Sequence, residues 1–197
     1  MSVFPNVVPE KGANEFVVAQ IVNDIDLMGY TEIIFKTDNE SSIVALQQTV
    51  KQKRQHKIVL ENSIKGASQT NGFIENANRT VAAQIRTMRS ALNTNLGCKV
   101  HRDHTSMTWL VKYAGTLINM FHVGKDGRTA YQRRKGKTTH PVLVPLGEKI
   151  LYKPVPDKRG KPSKLDDRFS MGSFMASAKR AECTILEPMM VFSNHVQ

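Results

Sequence analysis

Two carboxylates in this chain stand at positions from which they could act together on one ligand. Asp38 directly follows the strand-forming residues "EIIFKT", and Glu75 lies in the first turn of a long helical segment after the polar loop "SQTNG". A strand-end Asp, a helix, a second strand, a loop and a helix-start Glu can bring both carboxylates to one edge of a sheet, where ligands often bind. The order therefore predicts a shared acidic site.

Each acid also has a simpler, structural explanation. Asp38 precedes the helical segment "SSIVALQQTVKQK", and its short side chain could cap that helix. Glu75 would complement the helix dipole from the first turn. A single acid at either place is usually structural, so the site hypothesis depends on the two acids together with the segment "SQTNGFIE".

The elements that must position these acids alternate between helices and strands. The residues "NEFVVAQIVNDIDLMG" predict a helix capped by Asn14 and closed by Gly29, preceded by a short "NVV" strand. The "EIIFKT" strand, the "SSIVALQQTVKQK" helix and the "KIVL" strand follow. A long helix then carries Glu75, and another fills "TSMTWLVKYAGTLINMF". This alternation predicts an α/β fold.

The chain changes character after residue 123. Residues 124–140 read as a basic linker, and the pieces "EKILYKPV", "RFSMGSFMA" and "CTILEP" read as short strands of a small β-rich region over residues 141–197. Residues 1–123 carry 13 basic and 10 acidic side chains, whereas residues 124–197 carry 15 and 7. The excess of positive charge therefore lies mostly in the C-terminal part.

Composition limits the classes of function that fit. A net charge of +11 favours a polyanion, such as nucleic acid or a membrane surface, as the partner, and of these we expect nucleic acid. The apolar runs are too short for a membrane span, and "MSVFPNVVPEKG" lacks the features of a signal peptide. Cys98 and Cys183 are too few for a disulfide scaffold. We therefore expect a soluble, intracellular protein without a membrane partner.

The segments "TDNES" and "SQTNGFIENANRT", with the separation between Asp38 and Glu75, resemble the catalytic core of retroviral and copia-type retrotransposon integrases, which belong to the ribonuclease H-like superfamily. The segments "VGKDGRTAYQRRKG" and "PLGEKILYK" are similar to those that follow that core. The resemblance covers most of the chain. It implies that residues 1–123 form a partial integrase core with an incomplete sheet, followed by the β-rich appendage.

The resemblance also implies three catalytic acids, of which Asp38 would be the second and Glu75 the third. The first acid lies on an opening strand that has no counterpart here, and the zinc-binding His and Cys residues of full-length integrases are also absent. Asp24 and Asp26 are poor substitutes, because the spacing places them on the polar side of a helix. We therefore expect a truncated integrase.

In the family, two Mg²⁺ or Mn²⁺ ions bound by carboxylates promote phosphodiester exchange. Asp38 and Glu75 would each hold one metal, only weakly without the first acid, so we expect the chain alone to be inactive. The partners implied are retroelement ends and target DNA in the nucleus, with a homo-oligomer as a further assembly. The residues assigned to nucleic-acid binding are Arg79, Arg86, Gln69 and Asn71.

Two hypotheses for the function remain: an integrase fragment of the polynucleotidyl transferase class, and a catalytically inactive, basic DNA-binding module.

Cys98, His101 and His104 resemble a metal-binding trio, but no fourth ligand has a suitable spacing, so we predict surface histidines. Trp109 shares an apolar stripe with Leu110 and predicts core packing rather than base stacking.

Overall fold

The structure, a computed structural model, describes residues 1–63, 72–138, 143–153 and 167–174, together with the backbone of residues 178–180 and 183–185. The described residues form a mixed α/β fold. Its elements in chain order are α1 (Glu15–Met28), β1 (Glu32–Thr37), α2 (Ser41–Lys53), β2 (Lys57–Asn62), α3 (Gly72–Leu96), α4 (Ser106–Phe121), α5 (Ala130–Lys135), β3 (Lys149–Tyr152), β4 (Ser170–Ser173), β5 (Ala178–Arg180) and β6 (Cys183–Ile185). Among the helices of this part of the chain, none is both long and apolar enough to cross a lipid bilayer.

The first four elements begin and end close to where their sequence predicts. The Asn14 side chain accepts a hydrogen bond of 2.9 Å from the Phe16 amide and so caps α1. Gly29 closes the helix with a φ of 78°, a left-handed conformation in which glycine has no steric penalty. β1 coincides with "EIIFKT" and α2 with "SSIVALQQTVKQK", and β2 contains "KIVL". The predicted order over this region is confirmed.

A first hydrophobic core lies between the parallel strands β1 and β2 and the helices α1 and α2. In the register of the two strands, Ile33 is opposite Ile58 and Phe35 is opposite Leu60. Because side chains alternate along a strand, these four share one face of the sheet. They pack there with helix residues, chiefly Val17, Val18, Ile25, Leu46 and Val50.

The opposite face of this two-stranded sheet, here called the outer face, is largely open to solvent. Ile34 lies beside Val59, and the two residues are 66% and 42% exposed. Two cross-strand ion pairs flank them, Glu32 with Lys57 (2.6 Å) and Lys36 with Glu61 (2.8 Å). Parallel sheets are normally covered on both faces. In this sheet, by contrast, the exposure of Ile34 and Val59 shows that the described residues cover only one face.

A buried glutamine ties α2 to both strands. Gln47 is 1% exposed, and its side-chain Nε2 donates hydrogen bonds to the backbone carbonyls of Phe35 (2.6 Å) and Glu61 (3.0 Å). One of these carbonyls belongs to β1 and the other to β2. The bonds satisfy a polar group that would otherwise be costly to bury, and they fix the helix against the sheet.

A second core joins α3 and α4 to the C-terminal region. Its buried residues are Met88, Leu92, Val100, Leu110, Tyr113, Ala114, Leu146 and Phe174. The ring of Phe174 meets that of Tyr113 edge to face, with 6.0 Å between the ring centroids. Because Leu146 and Phe174 belong to the region predicted as an appendage, residues on both sides of the predicted boundary at residue 124 share one core.

Short strands occur within the three pieces of the C-terminal region that the sequence predicts as strands. β3 lies within "EKILYKPV" and pairs antiparallel with β4, which lies within "RFSMGSFMA". β6 lies within "CTILEP" and pairs antiparallel with β5. These are short, local pairs, and the structure describes them as separate two-stranded sheets.

The stretch predicted as a basic linker contains ordered structure. Val123 and Thr129 form an isolated antiparallel bridge, and α5 begins at Ala130. The Thr129 hydroxyl accepts from the Gln132 amide (3.2 Å), and the Gln132 side chain accepts from the Thr129 amide (2.7 Å). This reciprocal pair is a capping box, which stabilises the start of so short a helix.

The predicted "NVV" strand is wrong. Residues 6–8 form no strand, and the side chains of Val7 and Val8 are exposed. The N-terminal segment is instead held against α4, because the Asn119 side chain accepts from the Val3 amide (2.8 Å) and donates to the Val3 carbonyl (2.7 Å). These bonds give Val3 the hydrogen-bond partners that a neighbouring strand would otherwise supply.

The predicted core position of Trp109 is also wrong. Leu110 and Ala114 are fully buried in the second core, whereas Trp109 is half-buried and lines a cleft on another side of α4. Successive helix positions differ by about 100°, so a residue next to Leu110 turns away from the side that faces α3. The buried stripe of α4 is therefore narrower than the sequence predicts.

Candidate functional site

Asp38 stands at the carboxyl ends of both strands of the first sheet. β1 ends at Thr37, and Asp38 follows it with an exposed side chain. The neighbouring Asn39 donates to the Ser63 carbonyl (2.6 Å), and the Ser63 amide donates to the Thr37 carbonyl (2.9 Å). These bonds hold the chain after β1 against the chain after β2. The predicted place of Asp38 at a strand end is confirmed.

The capping position of α2 falls on Glu40 rather than on Asp38. Glu40 has an extended backbone, and its side chain makes no capping hydrogen bond to the helix. Its carboxylate instead accepts from the Ser42 hydroxyl (3.0 Å) and from Lys11 (3.2 Å). The bond from Ser42, followed by the contact with Lys11, lowers the pKa of the Glu40 carboxyl. The start of α2 therefore has its own local acid beyond Asp38.

Glu75 lies in the first turn of α3, as predicted, and is exposed. Arg79 and Arg86 follow it at about one and three helical turns, and both are exposed. Neither makes an ion pair or hydrogen bond through its side chain with any residue that the structure describes. Arg89 differs, because its guanidinium donates to the Val100 carbonyl at 3.2 and 2.8 Å. Glu75, Arg79 and Arg86 thus form an exposed, charged edge of α3.

The two predicted site acids belong to elements of different cores. Asp38 follows β1 of the first core, and Glu75 begins α3, which packs on α4 in the second. Within the described ranges, no extensive contact joins α3 to β1 or β2. Gln69 and Asn71 lie outside the described residues. That Asp38 and Glu75 share one site therefore stays a prediction.

No group of three or more His, Cys, Asp or Glu side chains arranged for a metal ion occurs in the part of the chain that the structure describes. Cys98 and His101 are exposed. His104 is half-buried at the start of α4, where its Nδ1 lies 2.8 Å from the Ser106 hydroxyl and 3.2 Å from the Ser106 amide. His104 therefore acts in the local structure of the helix start.

Asp24 and Asp26 both have structural partners. Asp24 accepts a hydrogen bond of 2.6 Å from Asn6, and Asp26 accepts one of 2.9 Å from Arg54 Nε. The side chain of Arg54 is only 1% exposed, and it donates further bonds to the carbonyls of Tyr30 and Lys57. These contacts give both acids of α1 roles in holding neighbouring segments together.

Sequence reasoning missed a cleft of about 530 Å³ between the N-terminal segment, α1, α4 and α5. Trp109, Lys112, Thr116 and Asn119 line it from α4. Their spacing follows one side of that otherwise apolar helix, so a polar stripe beside the core stripe was the signal that could have indicated it.

A scan against protein-family models matches none of them, and a search of curated proteins finds no significant match.

Proposed function

We propose that this chain is a partial integrase-type core of the ribonuclease H-like kind that binds nucleic acid. The observation that carries the proposal is the arrangement of its elements: exposed Asp38 directly follows β1, which is parallel to β2, and exposed Glu75 lies in the first turn of α3, the helix after β2.

The donor chemistry of Asp38 and Glu75 suits Mg²⁺ or Mn²⁺, since exposed carboxylates are hard oxygen ligands. Such a metal, when bound, stabilises negative charge on the phosphate during phosphodiester exchange. The family uses three acids, and the described residues offer these two in the expected order. We therefore expect weak metal binding and no strand transfer by the chain alone.

The exposed edge of α3 would make the contact with the DNA backbone. Arg79 and Arg86 lie on the same helix as Glu75, and their guanidinium groups are not engaged by other described side chains or carbonyls. A guanidinium group contacts phosphate oxygens without regard to base sequence. We therefore expect binding to duplex DNA with little sequence preference and a steep dependence on salt.

Fluorescence anisotropy with a labelled duplex over a series of salt concentrations tests this contact. Arg79→Gln and Arg86→Gln should each weaken binding to all duplexes alike and reduce the slope of log K against log salt by about 1. Lys51→Gln is the control, because Lys51 is an exposed cation in the last turn of α2 and does not belong to α3. Equal effects of all three substitutions would mean that α3 is not the DNA-binding face.

The C-terminal region should be tested by charge substitution and not by deletion. A deletion from residue 124 would remove Leu146 and Phe174, which are buried in the second core. Any loss of DNA binding would then be confused with loss of folding. Replacing exposed cations such as Lys135 and Lys137 with Gln leaves that core intact.

A catalytically inactive DNA-binding module is the second candidate. It is favoured because Asp38 follows β1 of the first core, whereas Glu75 lies on α3 of the second. A strand-transfer assay on labelled DNA in Mg²⁺ or Mn²⁺ distinguishes it from a complete enzyme. We expect no product from the unmodified chain. Strong activity that Asp38→Asn abolishes would show instead that the chain has a complete catalytic site.

A further inference from the structure

The cleft between the N-terminal segment and three helices has the size of a small-molecule site. It holds about 530 Å³ and is lined by residues 3–6, by α1, by α4 and by α5. Pockets that bind small ligands usually measure about 300–1,000 Å³ and combine apolar walls with a few polar groups. Pro5 packs closely on α4, because a Cβ at Gly115 would lie 2.8 Å from the Pro5 Cγ atom.

Two of the charged residues that line the cleft offset each other. Asp24 of α1 is half-buried and interacts electrostatically with Lys112 of α4. Burial raises the pKa of Asp24, while the hydrogen bond from Asn6 and the charge of Lys112 act in the opposite direction. The ionised pair contributes no net charge to the cleft.

The third charged residue of the lining, Arg134 of α5, has no such partner. Its Nε is buried without a hydrogen-bond acceptor, and its guanidinium makes no ion pair within the described residues. The adjacent Arg133, in contrast, binds Asp126 through Nε (2.8 Å) and Nη2 (2.5 Å). Buried donors without acceptors are uncommon in folded proteins, and each needs an explanation. Arg134 therefore leaves the cleft with one uncompensated positive charge.

Aromatic and apolar side chains supply the rest of the surface that a ligand would contact. Trp109 and Tyr131 line the cleft beside Leu27 and Met120. Aromatic rings favour stacked or edge-to-face contacts with another flat ring. The cleft thus combines a flat apolar surface with a single unmatched cation.

We infer that this cleft binds a small organic anion with a flat apolar body, whose carboxylate or phosphate group pairs with Arg134. The planar guanidinium presents N–H donors in a fork that matches either oxyanion. The ring of the ligand packs against Trp109 and Tyr131. The inference is independent of the proposed function, because it uses neither Asp38, Glu75 nor the exposed edge of α3.

The chain's only tryptophan makes the test specific to this site, since Trp109 lines the cleft. Tryptophan fluorescence is followed during titration with benzoate, with phenyl phosphate and with neutral benzyl alcohol as the uncharged comparison. Saturation-transfer NMR on the same samples detects binding without relying on fluorescence. We expect a saturable change with at least one of the two anions and a much weaker response to benzyl alcohol. The stronger anion identifies the oxyanion that the cleft prefers.

Variants of α5 assign the charge. Arg134→Gln should weaken anion binding about ten-fold or more, the effect of losing a charge-assisted hydrogen bond. Lys135→Gln removes the same charge from an exposed position of the same helix and should change binding by less than about two-fold. Arg134→Lys should retain part of the affinity, and circular dichroism checks the folding of each variant.

Three results would overturn the inference: no saturable binding of either anion, equal binding of benzyl alcohol and the anions, or unchanged anion binding in a folded Arg134→Gln variant. If Arg134→Gln does not fold, the comparison of charged and neutral probes in the unmodified protein still decides.

Discussion

Five arginines in the described part of the chain differ in what their guanidinium groups contact. Arg54, Arg89 and Arg133 donate to carboxylates or backbone carbonyls and hold segments together. Arg79 and Arg86 are exposed and make no such bonds within the described ranges. The net charge of +11 does not separate these groups. Arginines of the second kind can bind a partner without breaking an internal contact, and so can Arg134 of the cleft.

The pair formed by Asp126 and Arg133 predicts a dependence of stability on pH. The hydrogen bonds from Arg133 hold the pKa of the Asp126 carboxyl far below its ordinary value near 3.8. An acid with a lowered folded-state pKa stabilises the protein while it is ionised, and that contribution is lost as pH falls below the unfolded-state pKa. Asp126→Asn should therefore lower the melting temperature at pH 7 and make progressively less difference below about pH 4. Both groups are exposed, so solvent screening keeps the effect small.

Melting curves of the two proteins between pH 3 and pH 8 measure this difference. Glu10→Gln is a control, because Glu10 is exposed and makes no ion pair with any described residue. A difference between the Asp126→Asn protein and the unmodified protein that stays constant over the whole range would contradict the role of ionisation.

At the scale of elements, α2 depends on a polar residue as well as on its apolar side. Gln47→Leu would leave the carbonyls of Phe35 and Glu61 without their buried donor. We expect a loss of about 1–3 kcal/mol in the free energy of unfolding, measured by urea titration. Gln48→Leu makes the same chemical change at the exposed neighbouring position and should alter stability by less than about 0.5 kcal/mol. Equal losses in both variants would show that the two bonds contribute nothing specific.

The elements that sequence analysis predicted correctly carry local signals. Asn14 and Gly29 mark the ends of α1 through bonds within a few residues of each helix end. α5 had such a signal too, since Thr129 and Gln132 have the spacing of a capping box. The many basic residues around it favoured a linker, and the helix was missed.

Other features depend on contacts between distant parts of the chain and could not be predicted locally. The apolar residues Val7 and Val8 have the pattern of a strand, but a strand needs a neighbouring strand to pair with. The N-terminal segment is instead bonded to α4, through the backbone of Val3 and the side chain of Asn119. The same limit applies to the candidate site. Local patterns predict the places of Asp38 and Glu75. Whether the two acids approach each other depends on packing between the two cores, which no local pattern predicts.

At the scale of the whole molecule, the C-terminal region is part of the second core. Phe174 is 3% exposed, and its backbone bonds to Gly147 and Glu148 at 2.8 Å. Phe174→Ala should lower the free energy of unfolding by about 3–5 kcal/mol. Phe169→Ala removes the same side chain from a residue that is 59% exposed and should cost less than about 1 kcal/mol.

Chemical unfolding followed by the circular dichroism of the helices measures both variants. If Phe174→Ala and Phe169→Ala have the same small effect, the C-terminal strands are an independent appendage that contributes little to α3 and α4.

The separation of the two cores along the chain has a consequence for synthesis on the ribosome. The buried residues of the first core lie between Val17 and Ile58, so they all leave the ribosome before α3 does. Those of the second core extend from Met88 to Phe174. Because units of a protein fold as they emerge, the first forms early, while α3 and α4 wait for their last contacts. Until Phe174 emerges, the apolar sides of α3 and α4 stay accessible to chaperones. The nascent chain is therefore most prone to aggregation after α3 and α4 have emerged and before Phe174 has.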